Sequence, residues 1–390
     1  MNTKHRTVVI GTGLAGVRCA TTLRRLDPDR SVLLVGDELH DAYERPPLSK
    51  HYLIGSRSAP DLTLAGSRRN ELTTAGIDIR AGMRAVALER GCVVMENGER
   101  VDGDQVVLAT GARARRFPVH ADADRMHVLR TLDDADRLRD ALTPGCRLVI
   151  VGSGFIGTEV AASASERGAQ VTLVEAAPIP FERTLGADAG IWLVDRWRRS
   201  GIELHIGTGV DEILDGDPTT APLVVRLADG RLLPADHVLV AIGTIPNDEL
   251  FHAAFPGIGS LGAGTPTDQD GRTAVDGVYA VGDVALVARD QTGARRVEHW
   301  TDAATGAIRL AQLLAGRSPG PRPAPYAWSD QFGLRVQVVG DVDPSYAAII
   351  DDAGAESLLV RYLDAHGVLR GVAAVGHPRD VARYRQQLTA

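Results

Sequence analysis

The sequence predicts an α/β fold made of two copies of one strand-turn-helix unit, followed by a small α+β module. Three observations predict it. The apolar strand Val8-Val9-Ile10 runs into Gly11-Thr12-Gly13-Leu14-Ala15-Gly16, and the arrangement returns where Leu148-Val149-Ile150-Val151 meets Gly152-Ser153-Gly154-Phe155-Ile156-Gly157. Each copy later carries an Asn-Gly or Asp-Gly hairpin signal, at Gly98 and Gly230, and the same thirteen residues separate that glycine from a closing one, Gly111 or Gly243. Past Ser318 to Pro325, a linker-like stretch with four prolines, the pattern changes to short alternating runs.

In the first copy Gly11 permits a tight turn, Gly13 lets backbone approach a pyrophosphate, and Gly16 lets the following helix pack on the strand. The free N–H groups of that helix and its dipole favour phosphate, so each copy reads as a Rossmann-like dinucleotide-binding unit. Ser31 to Val35 forms the second strand. Asp37 at its end is placed to bind an adenosine ribose hydroxyl, with Glu38 as the alternative. Tyr43-Glu44-Arg45-Pro46-Pro47-Leu48-Ser49-Lys50 follows, where two prolines predict an extended, rigid excursion that ends in a charge. Ile77 to Val101 alternates about Asn97-Gly98, and Val106 to Ala112 closes the copy. His127 to Thr131 then leads into a helix with an acidic start at Asp133.

In the second copy the strand Val171 to Val174 ends in Glu175, and Val238 to Gly243 closes the unit. The first copy is nine residues longer, a length that the Pro-Pro-Leu-Ser-Lys excursion supplies. Gly277 to Asp283 predicts a further strand ending in a carboxylate. Glu298-His299-Trp300 and a helix over Thr301 to Leu314 follow. The C-terminal module contains Tyr326 to Gln331, a strand over Leu334 to Val339, a hairpin around His366-Gly367 and a helix over Arg379 to Leu388.

A net charge of −7 argues against nucleic acid as a partner, and no apolar run reaches membrane-spanning length. Cys19, Cys92 and Cys146 form no C-x-x-C pair, so no metal site is expected from them; they read as buried thiols of a cytoplasmic protein. Of 43 lysines and arginines only Lys4 and Lys50 are lysine, which draws attention to position 50.

Two dinucleotide cradles in one chain suggest hydride transfer from a nicotinamide to a flavin. Lys50 in the longer copy, with Gly282-Asp283 suited to a flavin's ribityl and phosphate region, assigns Gly11 to Gly16 to FAD and Gly152 to Gly157 to the nicotinamide. The predicted domains are a discontinuous FAD-binding domain over 1–112 and 241–317, an NAD-binding domain over 113–240 and the α+β module over 318–390. Glu175 would accept a bond from a ribose 2′-hydroxyl and repel a 2′-phosphate, predicting NADH over NADPH. Arg183 stands close enough in sequence to act the other way.

YERPPLSK at 43–50, VGSGFIGTEVA at 151–161, VYAVGD at 278–283, EHW at 298–300 and WSDQ at 328–331 together resemble the FAD-dependent, NAD(P)H-using ferredoxin reductases of bacterial oxygenase systems, of the putidaredoxin reductase and biphenyl dioxygenase reductase type. The resemblance covers essentially the whole chain and implies a glutathione-reductase-like plan. It implies Ala15, Asp37, Pro47, Lys50, Arg130, Asp283 and Trp300 around FAD, with a backbone contact near Met83. On the nicotinamide side it implies Gly154, Phe155, Ile156, Gly157, Glu159, Glu175 and Gly243. Lys50 and Glu159 are implied to pair as the catalytic groups beside the flavin ring, and Trp328 to lie near the electron exit.

Relatives that act through a thiol keep a cysteine where this chain has Pro-Pro-Leu-Ser-Lys, so electrons are expected to leave for an external acceptor, a [2Fe-2S] ferredoxin. Rubredoxin or a quinone is the alternative acceptor, and an NADH-sensing redox switch is the alternative from another class. Arg295, Arg296, Arg309 and Arg335 are candidates for a basic docking face, and the chain is expected as a monomer or homodimer. Thr305-Gly306, where relatives often have Gln-Gly, and the glycine-rich Phe251 to Thr267 depart from the pattern.

Overall fold

The computed structural model describes residues 6–89, 91–118, 122–289 and 293–389. The chain gathers into two compact units, one of Met1–Glu44, Leu62–Arg113 and Ile245–Arg322, the other of Arg45–Asp61, Ala114–Thr244 and Pro323–Ala390.

In the first unit a parallel sheet runs in the order Val278–Ala280, Gln105–Leu108, Arg6–Ile10, Ser31–Gly36, Ile77–Ala81. Its inner strands are apolar on both faces because both faces are covered. Val9, Val32, Leu34 and Val107 pack under the helices Leu14–Leu26 and Trp300–Leu314. Their alternate neighbours Val8, Ile10, Leu33, Val35, Val106 and Leu108 meet Val93, Met95 and Phe251 on the other side. Cys19 lies within the helical layer, where burial pushes its thiol up to about 12.

The second unit repeats the plan. Its parallel sheet runs Met126–His127, His237–Val240, Arg147–Val151, Gln170–Glu175, Glu203–Ile206; the last four follow the order of the first sheet, while the edge strand comes before them in the chain rather than after. Each unit adds a three-stranded antiparallel meander, Ala85–Glu89 to Arg100–Asp102 in one and Val210–Asp217 to Leu232–Ala235 in the other. The repeat in the sequence is therefore a repeat of architecture.

Pro323–Ala390 adds an antiparallel sheet ordered Tyr326–Gln331, Leu334–Gly340, Leu369–Val375, Leu358–Leu363, Ala347–Ala353. The helix Pro378–Gln387 covers it through Val381 and Tyr384. Within this unit the sheet is fastened to the helix Ala187–Arg199: Trp192 Nε1 and an Arg196 guanidinium nitrogen each donate to the Gly354 carbonyl at 3.1 Å. The Tyr362 hydroxyl donates to the Leu185 carbonyl.

One predicted element differs. Pro46–Ser49 is a 3-10 turn, not an extended excursion, with the Lys50 and Tyr52 N–H groups donating to the Pro47 carbonyl at 3.0 Å. Proline's fixed φ serves a helical first turn as well as an extended chain, and Pro46 occupies that first-turn position. The glycine-rich stretch after Phe251 is organised by Asp248, 1 % exposed, whose carboxylate accepts the N–H groups of Gly262 and Gly264 at 2.9 and 2.8 Å. Among the described residues no helix is long and apolar enough to cross a membrane.

At the edge of the second parallel sheet, His127 Nε2 lies 3.2 Å from His237 Nδ1. Burial, with His237 and Arg137 adding repulsion, pushes His127 down to about 4. Between that value and its ordinary one near 6.5 the unfolded chain binds a proton that the folded chain refuses, so stability falls as pH drops through this window. Urea titrations from pH 7 to pH 4 are expected to lose stability with a contribution of up to about 1.4 kcal/mol per pH unit from this site. The contribution disappears in His127→Gln; an unchanged slope in that variant would assign it elsewhere.

Candidate functional site

Both glycine turns are built on the same contacts. Gly11 N–H donates to the Val35 carbonyl at 2.7 Å and Gly152 N–H to that of Val174 at 2.8 Å. Gly11 and Gly152 have φ of 118° and 100°, and a Cβ on either would lie 2.1 or 2.5 Å from the carbonyl oxygen of Ala109 or Ala241. A Cβ on Gly16 or Gly157 would lie 1.8 or 2.0 Å from the oxygen of Gly11 or Gly152, so helix and turn touch backbone to backbone. Gly13 and Gly154, at the helix N-caps, have nothing within 4 Å of a would-be Cβ. Neither helix has a side-chain cap or an acid in its first turn. These are two cradles with free N–H groups and space for phosphate, and they fit a dinucleotide each.

In the first unit Gly282, against the start of the first helix, would bring a Cβ within 2.9 Å of Ala15 Cβ, so Ala15 and Gly282-Asp283 stand together beside the turn. Asp37 is exposed immediately beyond the strand Ser31–Gly36, and the Met83 N–H donates to the Gly36 carbonyl at 2.9 Å, which brings Met83 and Asp37 to one place. Glu38 instead accepts from the Tyr43 hydroxyl at 2.7 Å. Trp300 opens the helix Trp300–Leu314.

In the second unit Glu175 ends its strand and is bound to its own turn. Its Oε2 accepts from Ser153 N–H at 2.8 Å and Ser153 Oγ at 2.7 Å, and its Oε1 from Ala177 N–H at 2.8 Å. A carboxylate has about four acceptor positions, so one remains for a ligand hydroxyl. Arg183 is exposed on the short helix Glu182–Leu185. Phe155 and Ile156 are half-buried at the start of the second cradle's helix, and Phe155 packs on Phe181 with ring centroids 5.0 Å apart and planes tilted by 37°. Gly243 is exposed beyond the closing strand.

Pro47, Lys50, Arg130 and Glu159 also lie in the second unit. Arg130 N–H donates to Asp134, and its carbonyl accepts from Arg45 at 2.6 Å. Lys50 Nζ is 2.8 Å from Glu159 Oε2 and donates to the Pro46 carbonyl at 3.1 Å. Glu159 is 4 % exposed. Ser49 Oγ also donates to its Oε2, and Ser329 Oγ donates to Oε1 at 2.7 Å. Ser49, Ser153, Ser329, Gln331 and Trp197 are not singled out as functional by the sequence. The available signal is alternation in Tyr326–Gln331, which puts Ser329 and Gln331 on one buried face.

The basic face is narrower than the sequence suggests. Arg309 pairs with Asp270 and Arg296 with Glu298, both at 2.6 Å and both largely buried, which removes them as free docking charges. Arg335 is more exposed, lies 3.8 Å from Asp330 Oδ1 and stands 5.8 Å over the Trp328 ring, which stacks on Tyr326.

Comparison with known proteins matches residues 5–307 to the family described as pyridine nucleotide-disulphide oxidoreductase and residues 326–390 to the reductase C-terminal family. The chain is 34 % identical over 385 residues to the 3-phenylpropionate/cinnamic acid dioxygenase ferredoxin–NAD(+) reductase component of Photorhabdus laumondii, covering 98 % of this chain and 95 % of that one. It is 36 % identical over 384 residues to the ferredoxin–NAD(+) reductase component of the p-cumate 2,3-dioxygenase system of Pseudomonas putida, covering 97 % and 92 %. Among solved structures, the covalent putidaredoxin reductase–putidaredoxin complex matches with a TM-score of 0.93 at 32 % identity, covering 100 % of this chain and 94 % of that one.

The two classes of glycine should separate on substitution. Gly13→Ala and Gly154→Ala are expected to fold as the wild type by circular dichroism and to bind their dinucleotide at least about tenfold more weakly, because the added methyl enters only the phosphate space. Gly16→Ala and Gly157→Ala are expected to lose the fold itself. Equal binding by Gly13→Ala in a calorimetric titration would move the phosphates away from that turn.

Proposed function

The chain belongs to the pyridine nucleotide-disulphide oxidoreductase family and carries a reductase C-terminal domain, and on that premise we propose that it is an FAD-dependent reductase that takes electrons from NADH and passes them to a [2Fe-2S] ferredoxin serving an oxygenase. The observation that carries this reading is the doubled cradle: two glycine turns of one build, each open above its second glycine. The names of the relatives support ferredoxin as the acceptor and NADH as the donor.

FAD, when bound, accepts two electrons as a hydride and releases them one at a time. Gly11 to Gly16 would hold its pyrophosphate by backbone N–H groups, with Ala15, Asp37, Met83, Asp283 and Trp300 of the same unit. Gly152 to Gly157 would hold the nicotinamide dinucleotide, and the remaining acceptor position of Glu175 would take a ribose 2′-hydroxyl while opposing a 2′-phosphate. Lys50, fixed by Glu159, would present a positive charge where the flavin gains electron density.

The stretch Pro46–Lys50 holds no cysteine, and Cys19, Cys92 and Cys146 are buried and unpaired. Burial raises the thiols of Cys19 and Cys146, which leaves them poor nucleophiles. Electrons therefore leave for an external carrier without a thiol relay. Buried, unpaired cysteines also suit the cytoplasm.

Lys50→Met is expected to retain FAD and to slow its reduction by NADH by about ten- to a hundredfold in anaerobic stopped flow; reduction at the wild-type rate would remove Lys50 from the reaction. Glu175→Ala is expected to cut kcat/KM for NADH by about tenfold and to narrow its advantage over NADPH. Steady-state assays with both nicotinamides check this, and an unchanged ratio would count against Glu175.

A further inference from the structure

Ser329 and Gln331 lie on one face of the strand Tyr326–Gln331 and are 0 % and 2 % exposed. They form a chain of hydrogen bonds that ends on Glu159. Trp197 Nε1 donates to Gln331 Oε1 at 2.7 Å, Gln331 Nε2 donates to Ser329 Oγ at 3.2 Å, and Ser329 Oγ donates to Glu159 Oε1 at 2.7 Å. The indole N–H can only donate, and this sets the direction of the whole chain. Trp197 demands the oxygen of the Gln331 amide, which turns the amide nitrogen toward Ser329. The Ser329 oxygen accepts that bond and has its single hydrogen left for the carboxylate.

Glu159 Oε2 is already taken by Lys50 and Ser49. If Ser329 were silent, Oε1 would be an unpaired acceptor in a closed site. The carboxylate torsion of glutamate is soft. An unpinned Glu159 would turn to share the Lys50 ammonium between both oxygens, and the ammonium would move with it.

We propose that Ser329 is a positioning residue for the Lys50–Glu159 pair, pinning one carboxylate oxygen from the C-terminal sheet so that the other stays on the ammonium, with Trp197 and Gln331 fixing the polarity of the link. This rests on the reading of Lys50 and Glu159 given above. Ser329 acts through Glu159, so its effect should depend on Lys50 being present.

The test is a double-mutant cycle on the full-length holoprotein with Ser329→Ala, Lys50→Met and both together. In the wild-type background Ser329→Ala is expected to lower kcat for NADH-driven ferricyanide reduction by about tenfold with KM changed less than about twofold, whereas in the Lys50→Met background it costs less than about twofold. The urea midpoints of the same four proteins should be non-additive in the same sense. Should Ser329→Ala fail to fold, Trp197→Phe, acting from the far end of the chain, is expected to give the same pattern with about a threefold loss. Equal fold-losses in both backgrounds, or additive midpoints, would overturn the role of Ser329 while leaving Lys50 in place. A Lys50→Met protein as fast as the wild type would overturn the reading of the pair itself.

Discussion

A carboxylate taken out of water must be met by donors on nearly every side, and Glu159, 4 % exposed, is a place in this protein where that requirement organises its surroundings. Glu159 and its donors together span the three chain segments of the second unit. Lys50 and Ser49 belong to Arg45–Asp61, Glu159 itself to Ala114–Thr244, and Ser329 to Pro323–Ala390. Ser163, one turn further along the same helix, donates to the Ser49 carbonyl at 2.7 Å and fixes the turn from a second point. One buried charge thereby specifies the relative placement of segments far apart in sequence. It also explains why Pro46–Ser49 curls: the turn presents Ser49 and Lys50 on the same side, which an extended chain, alternating its side chains, would not.

The two cradles show how one backbone plan is given two tasks. In register, Val35 and Val174 pair with Ile10 and Val151, so the next residue in each strand, Gly36 or Glu175, occupies the same place. At Gly36 a Cβ would lie 2.3 Å from Thr12 Oγ1, and the acid is displaced by one position to Asp37. At the second site Ser153 replaces the threonine and binds the glutamate. The middle residue of each G-x-G thus decides where the following carboxylate can stand.

The glycine turns were legible in the sequence because their requirement is local: no other residue fits a Cβ-free contact with the neighbouring backbone. The repeat was legible for the same reason, since its hairpins and closing glycines recur at fixed spacing. The proline turn is not legible in this way, because φ near −65° is shared by extended and 3-10 chains and the Glu159 contact chooses between them. Ser329 escaped because its meaning depends on Glu159, 170 residues away, and on an indole in another element. Composition does not reveal which arginines of the expected basic face carry partners: Glu298 and Asp270 hold Arg296 and Arg309 in largely buried pairs, and Asp330 stands near Arg335.

The proline-rich stretch 318–325 looks like a seam, and composition invites the view that the C-terminal sheet is a detachable module. The Gly354 carbonyl, held by Trp192 and Arg196, and the Leu185 carbonyl, held by Tyr362, say otherwise. The two parts share a buried carboxylate and an indole-to-amide bond. A chimaera joined at that seam would inherit a serine and a glutamine cut to fit another helix. The polar contacts that span the seam make the sheet and the helix Ala187–Arg199 one folding partner for the other, whatever the linker's composition suggests.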